Sequence, residues 1–362
     1  MPGLLNASLD GNKVTVWCLP LKSMHEQYLG RCADHQMTCE TWSYATSVTN
    51  PPRNILVTIE EFEKEVFHEF MTRLVDLCLL ARLIVDEAHL AVTHQEFREV
   101  MGTLAWVGAM GVQIILMSAS MGPSLEGLLF KKFGIRHYVV CREQTCRANI
   151  CYSVTVARDI DAELQRLFGQ IGEEKSVIYC RSKETARATA ERLRIPHCDG
   201  LTNRTDTNAI LKSLRTGAVK AIACTTVLGV ALDVPDIKYI FHLDYPYDMI
   251  SYIQESGRCG RSDGSMGYST VIIPQWTSIR IPKLDLFGAQ LIHDWAKDRT
   301  HCRRWLMQLF NDGVAEPCSM MRGVVNMCDV CRQDSRTIPE RGEEQKCTVD
   351  MINPYVPAEH SQ

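Results

Sequence analysis

Short apolar, β-rich runs recur along the chain, each followed by a longer stretch in which hydrophobic positions return with helical spacing. "VTVWCLP" (14–20) precedes "LKSMHEQYLGRC" (21–32), and "NILVTI" (54–59) precedes "EEFEKEVFHEFMTRL" (60–74). Strands alternating with helices are the pattern of an α/β fold built on parallel sheets. Further strand-like runs follow at "RLIVD" (82–86), "VQIILMS" (112–118), "YVV" (138–140), "SVIYC" (176–180), "VKAIAC" (219–224) and "KYIFHL" (238–243). The composition breaks near "CREQTCRANI" (141–150), and beyond about residue 272 the pattern turns helical and Cys-rich before ending in a mixed-charge tail. This predicts four parts: a first α/β lobe over 1–142, a second over 143–272, a helical Cys-rich module over 273–335, and a tail over 336–362 without a packed core.

Composition narrows the class without deciding the function. A chain of 362 residues allows two or three domains at roughly 150 residues each. Its 46% hydrophobic and 23% charged residues fit an ordinary globular protein. No apolar run reaches the roughly 18 residues of a membrane span, and the first residues, "MPGLLNASLDGNK", do not form a signal peptide. No membrane partner is expected. The net charge of −4 argues against a wholly basic nucleic-acid coat. The cluster "RSKETARATAERLR" (181–194) reads as a solvated helix face that is also able to meet phosphates. Sixteen cysteines with no secretory signal point to a reducing compartment, where close Cys spacing means metal more often than disulfide.

The candidate chemistry begins at "RLIVDEAHLAV" (82–92). An apolar strand ends in two carboxylates, Asp86 and Glu87, at the sheet edge where ligands bind in open parallel α/β folds. In an NTPase, Asp86 would hold Mg²⁺ and Glu87 would polarise the attacking water; the plainer reading is a pair of acids favoured by a helix dipole. "ILMSAS" (115–120) ends another strand in Ser118 and Ser120. "ACTTVLGVALDVPD" (223–236) puts Thr225 and Thr226 at a strand end, where hydroxyls suit phosphate contacts. "SYIQESGRCGR" (251–261) spaces Gln254, Arg258 and Arg261 so that one continuous helix would present them on a single face. Gly257 and Gly260 in the same stretch disfavour a helix and suit a close approach to the backbone.

In this order, "PLKSM", "DEAH", "SAS", "ACTTVLGVALDVPD", "HLDYP" and "SYIQESGRCGR" resemble the superfamily 2 helicases, specifically the RecQ family of DNA helicases, over about residues 14–331. "RANICYSV" (147–154) and "HCDGL" (197–201) extend the likeness. "CRRWLMQLFNDGVAEPC" followed by "CDVC" is similar to the RecQ zinc module. The resemblance implies two RecA-like lobes, the first incomplete, followed by a helical zinc-binding module. It implies that ATP and Mg²⁺ are held by Asp86, Glu87, Gln254, Arg258 and Arg261, and that a structural Zn²⁺ is held by Cys302, Cys318, Cys328 and Cys331. Lys22, Phe97, Arg98, Ser118, Ser120, Thr225 and Thr226 are the implied DNA contacts. The implied activity is ATP-driven 3′ to 5′ translocation on single-stranded or forked DNA, in the nucleus, with an intact helicase or repair protein as a further partner.

Several departures qualify this. Nine residues, "SMMRGVVNM", separate Cys318 from Cys328, a longer spacing than the family's usual one. The loop after DEAH keeps Phe97 and Arg98 but lacks the family's tryptophan, and Ile59 stands where the family places proline. The largest departure is the P-loop, G-x-x-x-x-G-K-[ST], whose amides and lysine cradle phosphates: the chain contains no Gly-Lys pair. Thirteen residues precede Val14, so the chain is expected to begin after its nucleotide cradle and to hydrolyse ATP weakly or not at all. Three explanations stand: an incomplete version of a complete helicase, a shortened relative that has lost its ATPase, or phosphates held by other residues. Two functional alternatives stand beside the helicase, a non-hydrolytic, helicase-derived DNA-binding or regulatory protein and a DEAH-box RNA helicase. The second does not account for the cysteine module.

Overall fold

The computed structural model describes residues 13–20, 22–93, 104–226, 234–262, 264–276, 285 and 287–334. They divide into two compact units, 1–141 and 142–362. Among them, no helix is long and apolar enough to cross a membrane.

The first unit runs β1 (Val14–Leu19), α1 (Ser23–Asp34), β2 (Cys39–Thr41), β3 (Asn54–Thr58), a 3₁₀ turn (Ile59–Glu63), α2 (Glu65–Asp76), β4 (Leu80–Val85), α3 (Leu90–Thr93), α4 (Ala105–Ala109), β5 (Gln113–Leu116) and α5 (Pro123–Lys132). Its sheet has the order β2-β3-β1-β4-β5 and every pairing is parallel. All six residues of β1 and all five of β3 are buried, which is how a sheet with helices on both faces reads. The indole Nε1 of Trp17 donates to Asn54 Oδ1 at 3.1 Å and ties β1 to β3.

The run 60–74 is not one helix. A 3₁₀ turn brings Ile59 and Phe62, three residues apart, together into the core. Lys64 then takes an extended conformation and α2 starts afresh, burying Phe67, Phe70, Met71 and Leu74 at helical spacing.

The second unit runs β6 (Ile150–Ala157), α6 (Ile160–Phe168), β7 (Ser176–Cys180), α7 (Lys183–Leu193), β8 (His197–Cys198), α8 (Arg204–Thr216), β9 (Ala221–Cys224), β10 (Tyr239–Leu243), α9 (Met249–Ser256), β11 (Gly267–Pro274), α10 (Ala289–Lys297), α11 (Arg303–Asp312) and α12 (Asp329–Asp334). Its sheet, also parallel, has the order β6-β11-β10-β7-β9-β8. Side-chain caps start its helices: Asp159 on α6, Ser182 on α7, Asn203 on α8 and Asp248 on α9 each accept a backbone N–H of the first turn. The helices after β11 are built onto this sheet, since Arg304 of α11 donates to Ile150 O and Asp329 of α12 accepts Val154 N–H at 3.0 Å.

Two expectations fail. Residues 138–140 form no strand: Tyr138, Val139 and Val140 are exposed, Val139 by 88%. Three apolar residues with no neighbouring strand have nothing to pair with. Nor do Gln254, Arg258 and Arg261 share a helix face, because α9 ends at Ser256 with Gly257 as its cap. Gly260 has φ +62°, and a Cβ there would lie 2.9 Å from Gly267 N and 3.0 Å from Asn149 Nδ2. The chain therefore turns tightly against the start of β11, and what approaches the glycine backbone is the protein itself.

Candidate functional site

Strand β4 delivers Asp86 and Glu87 to the carboxyl edge of the first sheet. The Asp86 N–H donates to Cys18 O at 2.9 Å, continuing the β1–β4 ladder past the strand end. The Tyr28 hydroxyl donates to Asp86 Oδ2 at 2.7 Å, and the Glu87 N–H donates to Oδ1 at 3.0 Å. A carboxylate offers about four lone-pair sites, so these two donors leave room for a cation. Burial raises the Asp86 pKa above the usual carboxylate range; the Tyr28 hydrogen bond opposes the rise and the Glu87 charge adds to it.

Glu87 sits at φ +50°, a left-handed backbone. For a non-glycine residue that is worth on the order of 1–3 kcal/mol of strain and is found mostly where function holds it. Its Oε2 lies 3.2 Å from His89 Nδ1, an ionic approach rather than an aligned hydrogen bond. The same nitrogen lies 2.9 Å from Ser118 Oγ, which also accepts the Ser120 N–H at 3.1 Å. One imidazole nitrogen thus faces a carboxylate and a hydroxyl. Which of the two it serves depends on the tautomer of the ring. That links the strand-end acid to the end of β5.

Lys22 is exposed at the start of α1, Ser118 is half-buried and Ser120 is fully buried. Phe97 and Arg98 lie outside the described residues.

In the second unit, Thr225 and Thr226 follow β9. Thr225 is 7% exposed, and its hydroxyl has no hydrogen-bond partner among the described residues. Gln254 and Arg258 are half-buried and Arg261 is exposed. Arg261 Nε donates back to Gly257 O at 3.3 Å, across the turn that ends α9. Beneath them lies a pair that the sequence did not advertise. His242 of β10 and Glu255 of α9 meet at 2.9 Å, 3% and 4% exposed. Tyr179 stacks on the imidazole and Tyr252 meets its edge. The pair anchors the helix that carries Gln254 to the central strand of the sheet.

The cysteines form the third constellation. The Sγ atoms of Cys302, Cys318, Cys328 and Cys331 all lie within 4.8 Å of one another. Cys302 is 3.5 Å from Cys318 and 3.9 Å from Cys328, while four thiolates about 2.3 Å from a tetrahedral zinc would be about 3.8 Å apart. Backbone amides already point at the sulfurs: Cys318 N–H at Cys302, Cys328 N–H at Cys318, and both Arg303 and Cys331 N–H at Cys328, at 3.3 to 3.5 Å. Arg304 Nη1 donates to Cys318 Sγ. The neighbouring thiols, Cys302 foremost, hold the Cys318 pKa far below its ordinary value. The same kind of contact lowers Cys328 to about 6. The same contacts push the Cys302 and Cys331 thiols up, so the fit to zinc rests on the four converging sulfurs and their separations.

Two buried arginines brace the cluster. Arg303 makes a two-pronged pair with Asp329, at 2.9 and 3.0 Å, and lies over the Trp295 ring. Arg304 lies over Tyr152. Both are 1% exposed or less.

The family profile described as helicase conserved C-terminal domain matches residues 160–263, from α6 through the turn after α9. Curated relatives extend the match into both units. The ATP-dependent DNA helicase hus2/rqh1 of Schizosaccharomyces pombe is 22% identical over 287 residues, 72% of this chain and 21% of its own. The ATP-dependent helicase SGS1 of Saccharomyces cerevisiae is 24% identical over 290 residues, 72% of this chain and 19% of its own. The chain carries a helicase C-terminal domain and is similar to DNA helicases of the RecQ type.

A putative ATP-dependent DNA helicase Q1 of Caenorhabditis briggsae is 25% identical over 260 residues, and the chain covers 41% of it. The chain thus spans between about a fifth and two fifths of these relatives. Among solved structures, the DUF1998 helicase MrfA bound to DNA aligns with a TM-score of 0.60 at 16% identity, over 76% of this chain and 44% of that one. S. cerevisiae Dbp5 bound to RNA and ADP BeF3 aligns with a TM-score of 0.57 at 17% identity, over 74% and 73%. These likenesses place the two sheets among RecA-like helicase lobes.

Proposed function

We propose that the chain acts as a RecQ-like DNA helicase core that engages single-stranded or forked DNA, with 3′ to 5′ polarity, using ATP, Mg²⁺ and a structural Zn²⁺. The observation that carries this reading is the strand end at Asp86 and Glu87, coupled through His89 to Ser118. Asp86 holds the Mg²⁺, Glu87 orients the attacking water, and Gln254, Arg258 and Arg261 contact phosphates. Lys22, Phe97, Arg98, Ser118 and Thr226 make the DNA contacts, which are largely sequence-independent. Ser120 and Thr225, both buried, act in this reading by supporting the loops that follow β5 and β9. Zinc joins Cys302, Cys318, Cys328 and Cys331 and fastens α11 and α12 to β6.

These 362 residues contain no G-x-x-x-x-G-K-[ST] pattern. A water activator without a positioned γ-phosphate gives little rate, because phosphoryl transfer rests on positioning and electrostatics, so hydrolysis by this polypeptide alone is expected to be slight. The relatives' DNA-helicase names and the cysteine cluster favour DNA over RNA. The reading is tested by titrating a fluorescent single-stranded DNA and the matching RNA with the zinc-loaded protein across a range of salt. Tighter binding to DNA, weakening steeply with salt, supports it. Equal or stronger binding to RNA overturns the choice of DNA, and no binding to either overturns the reading.

A further inference from the structure

Strands β10, β7 and β9 are neighbours in the second sheet, in register at Leu243, Cys180 and, one residue earlier on β7, Tyr179 with Cys224. The residues that follow them therefore share one edge: Tyr245 to Tyr247, then Arg181, then Thr225 and Thr226. About 10 Å separates the outer two strands at parallel spacing. On this edge Arg181 and Tyr247 hold each other. The Arg181 guanidinium lies 4.8 Å from the centre of the Tyr247 ring. The Tyr247 hydroxyl donates to the Arg181 carbonyl, and Arg181 Nη1 donates to Tyr245 O at 3.3 Å. Tyr247 nonetheless remains 43% exposed. Most aromatic side chains of this unit are buried or half-buried in its core; this one is fixed at its hydroxyl and presented to solvent beside a cation.

We propose that Tyr247, backed by Arg181, is a stacking platform for an unpaired base of the single strand. The inference rests on the nucleic-acid reading above and adds a site to it. A ring locked at its hydroxyl loses little conformational freedom when a base settles on it. Every base has a π-face, so the contact is tolerant of sequence. The guanidinium draws on the electrons of the ring, which favours an electron-rich purine on the open side. Arg181 also places positive charge beside the threonines that follow β9, where the backbone of the same strand would run.

The test uses the full chain with zinc bound and a single-stranded oligonucleotide carrying one 2-aminopurine, whose fluorescence is quenched on stacking, or one photoreactive 5-iodouracil. The result expected is quenching on binding and a crosslink that peptide mapping places at Tyr247. Tyr247→Leu should weaken binding by about ten-fold, within the range of a single base–aromatic stack, with an unchanged salt slope. Tyr247→Phe, which keeps the ring, should lose much less, and Arg181→Gln should lower the salt slope by about one contact. If the wild type binds DNA and Tyr247→Leu, with an unchanged melting temperature, binds equally well, the platform is overturned while DNA binding stands. If Tyr247→Leu lowers the melting temperature and Tyr247→Phe weakens binding just as much, the pair is a structural clamp only. A wild type that binds no oligonucleotide overturns the broader reading, and this inference with it.

Discussion

Asp86 and Arg303 are both charged groups withdrawn from water, and their surroundings answer them differently. Arg303 meets a carboxylate with two prongs, a backbone carbonyl and an aromatic face. Asp86 receives one hydroxyl and one amide, and burial still pushes its pKa up. Next to it, Glu87 is held in a left-handed backbone with its carboxylate 30% exposed. A structural site closes its hydrogen bonds within the protein, as the cysteine module does around Cys318. A site meant for a ligand keeps strain and unused acceptors, as the end of β4 does. The contrast separates two kinds of buried polar group that a list of motifs treats alike.

The largest expected effect tests the closed site. Cys318→Ser, or removal of zinc by a chelator, should abolish the cooperative melting of the second unit. Structural zinc contributes on the order of 10 kcal/mol in small modules. Elemental analysis should find about one zinc per chain; a metal-free protein with an unchanged melting curve would erase the distinction drawn here.

Next in size is the brace beneath it. Arg303→Met leaves the half-buried Asp329 with only the longer contact to Arg299 at 3.9 Å and two backbone N–H donors, a loss of about 3 kcal/mol, the low end for a broken buried pair. Adding Asp329→Asn should restore much of it in denaturant titrations. If the double variant is no better than the single one, the pair does not act as a unit.

Asp248 gives a pH-dependent case between the two kinds of site. It caps α9, accepting the Ser251 N–H at 2.7 Å, and burial raises its pKa to about 6. The unfolded value is about 3.9. Between those values the folded state binds more protons than the unfolded state, so this contribution to stability is present below about pH 4 and is lost as pH rises through 6. Asp248→Asn keeps a good cap and removes the titration. It should be more stable than wild type by up to about 3 kcal/mol at pH 7, with the gap fading as the pH falls toward 4. Parallel stability curves across that range would refute the assignment.

The smallest effect sharpens the open site. Tyr28→Phe should cost about 1 kcal/mol and raise the Asp86 pKa further, because the lost hydrogen bond was lowering it. Carboxyl chemical shifts followed against pH would show a fall instead if Tyr28 did not stabilise the carboxylate.

Much of this was legible in the order of residues. The runs at 14–20, 54–59, 82–86, 176–180 and 238–243 each coincide with a strand, the third beginning two residues early at Leu80, because a continuous apolar stretch between helices has few other destinations. The edge strands β2 and β8 are three and two residues long, too short to leave a pattern. Strand β11, "GYSTVIIP", was not among the expected runs: it follows a glycine-rich turn, and its continuous apolar stretch begins only at Val271. The cysteine set was legible because thiols at such spacing have a chemical reason to meet. The shared face of Gln254, Arg258 and Arg261 was misread because the spacing rule assumes an unbroken helix, and Gly257 ends it. Tyr28 and His242 carried no local signal. Their partners lie 58 residues away for Tyr28 and 13 for His242, and only the fold brings them together.

The most direct test is ATP hydrolysis by the zinc-loaded chain, with and without single-stranded DNA, beside a Glu87→Gln variant prepared identically. The account predicts a protein that binds DNA yet shows no DNA-stimulated turnover above that of the variant, its carboxylates in place and its phosphates uncradled. Turnover that DNA stimulates and Glu87→Gln abolishes would contradict it, and would mean that residues outside the P-loop pattern hold the nucleotide against Asp86.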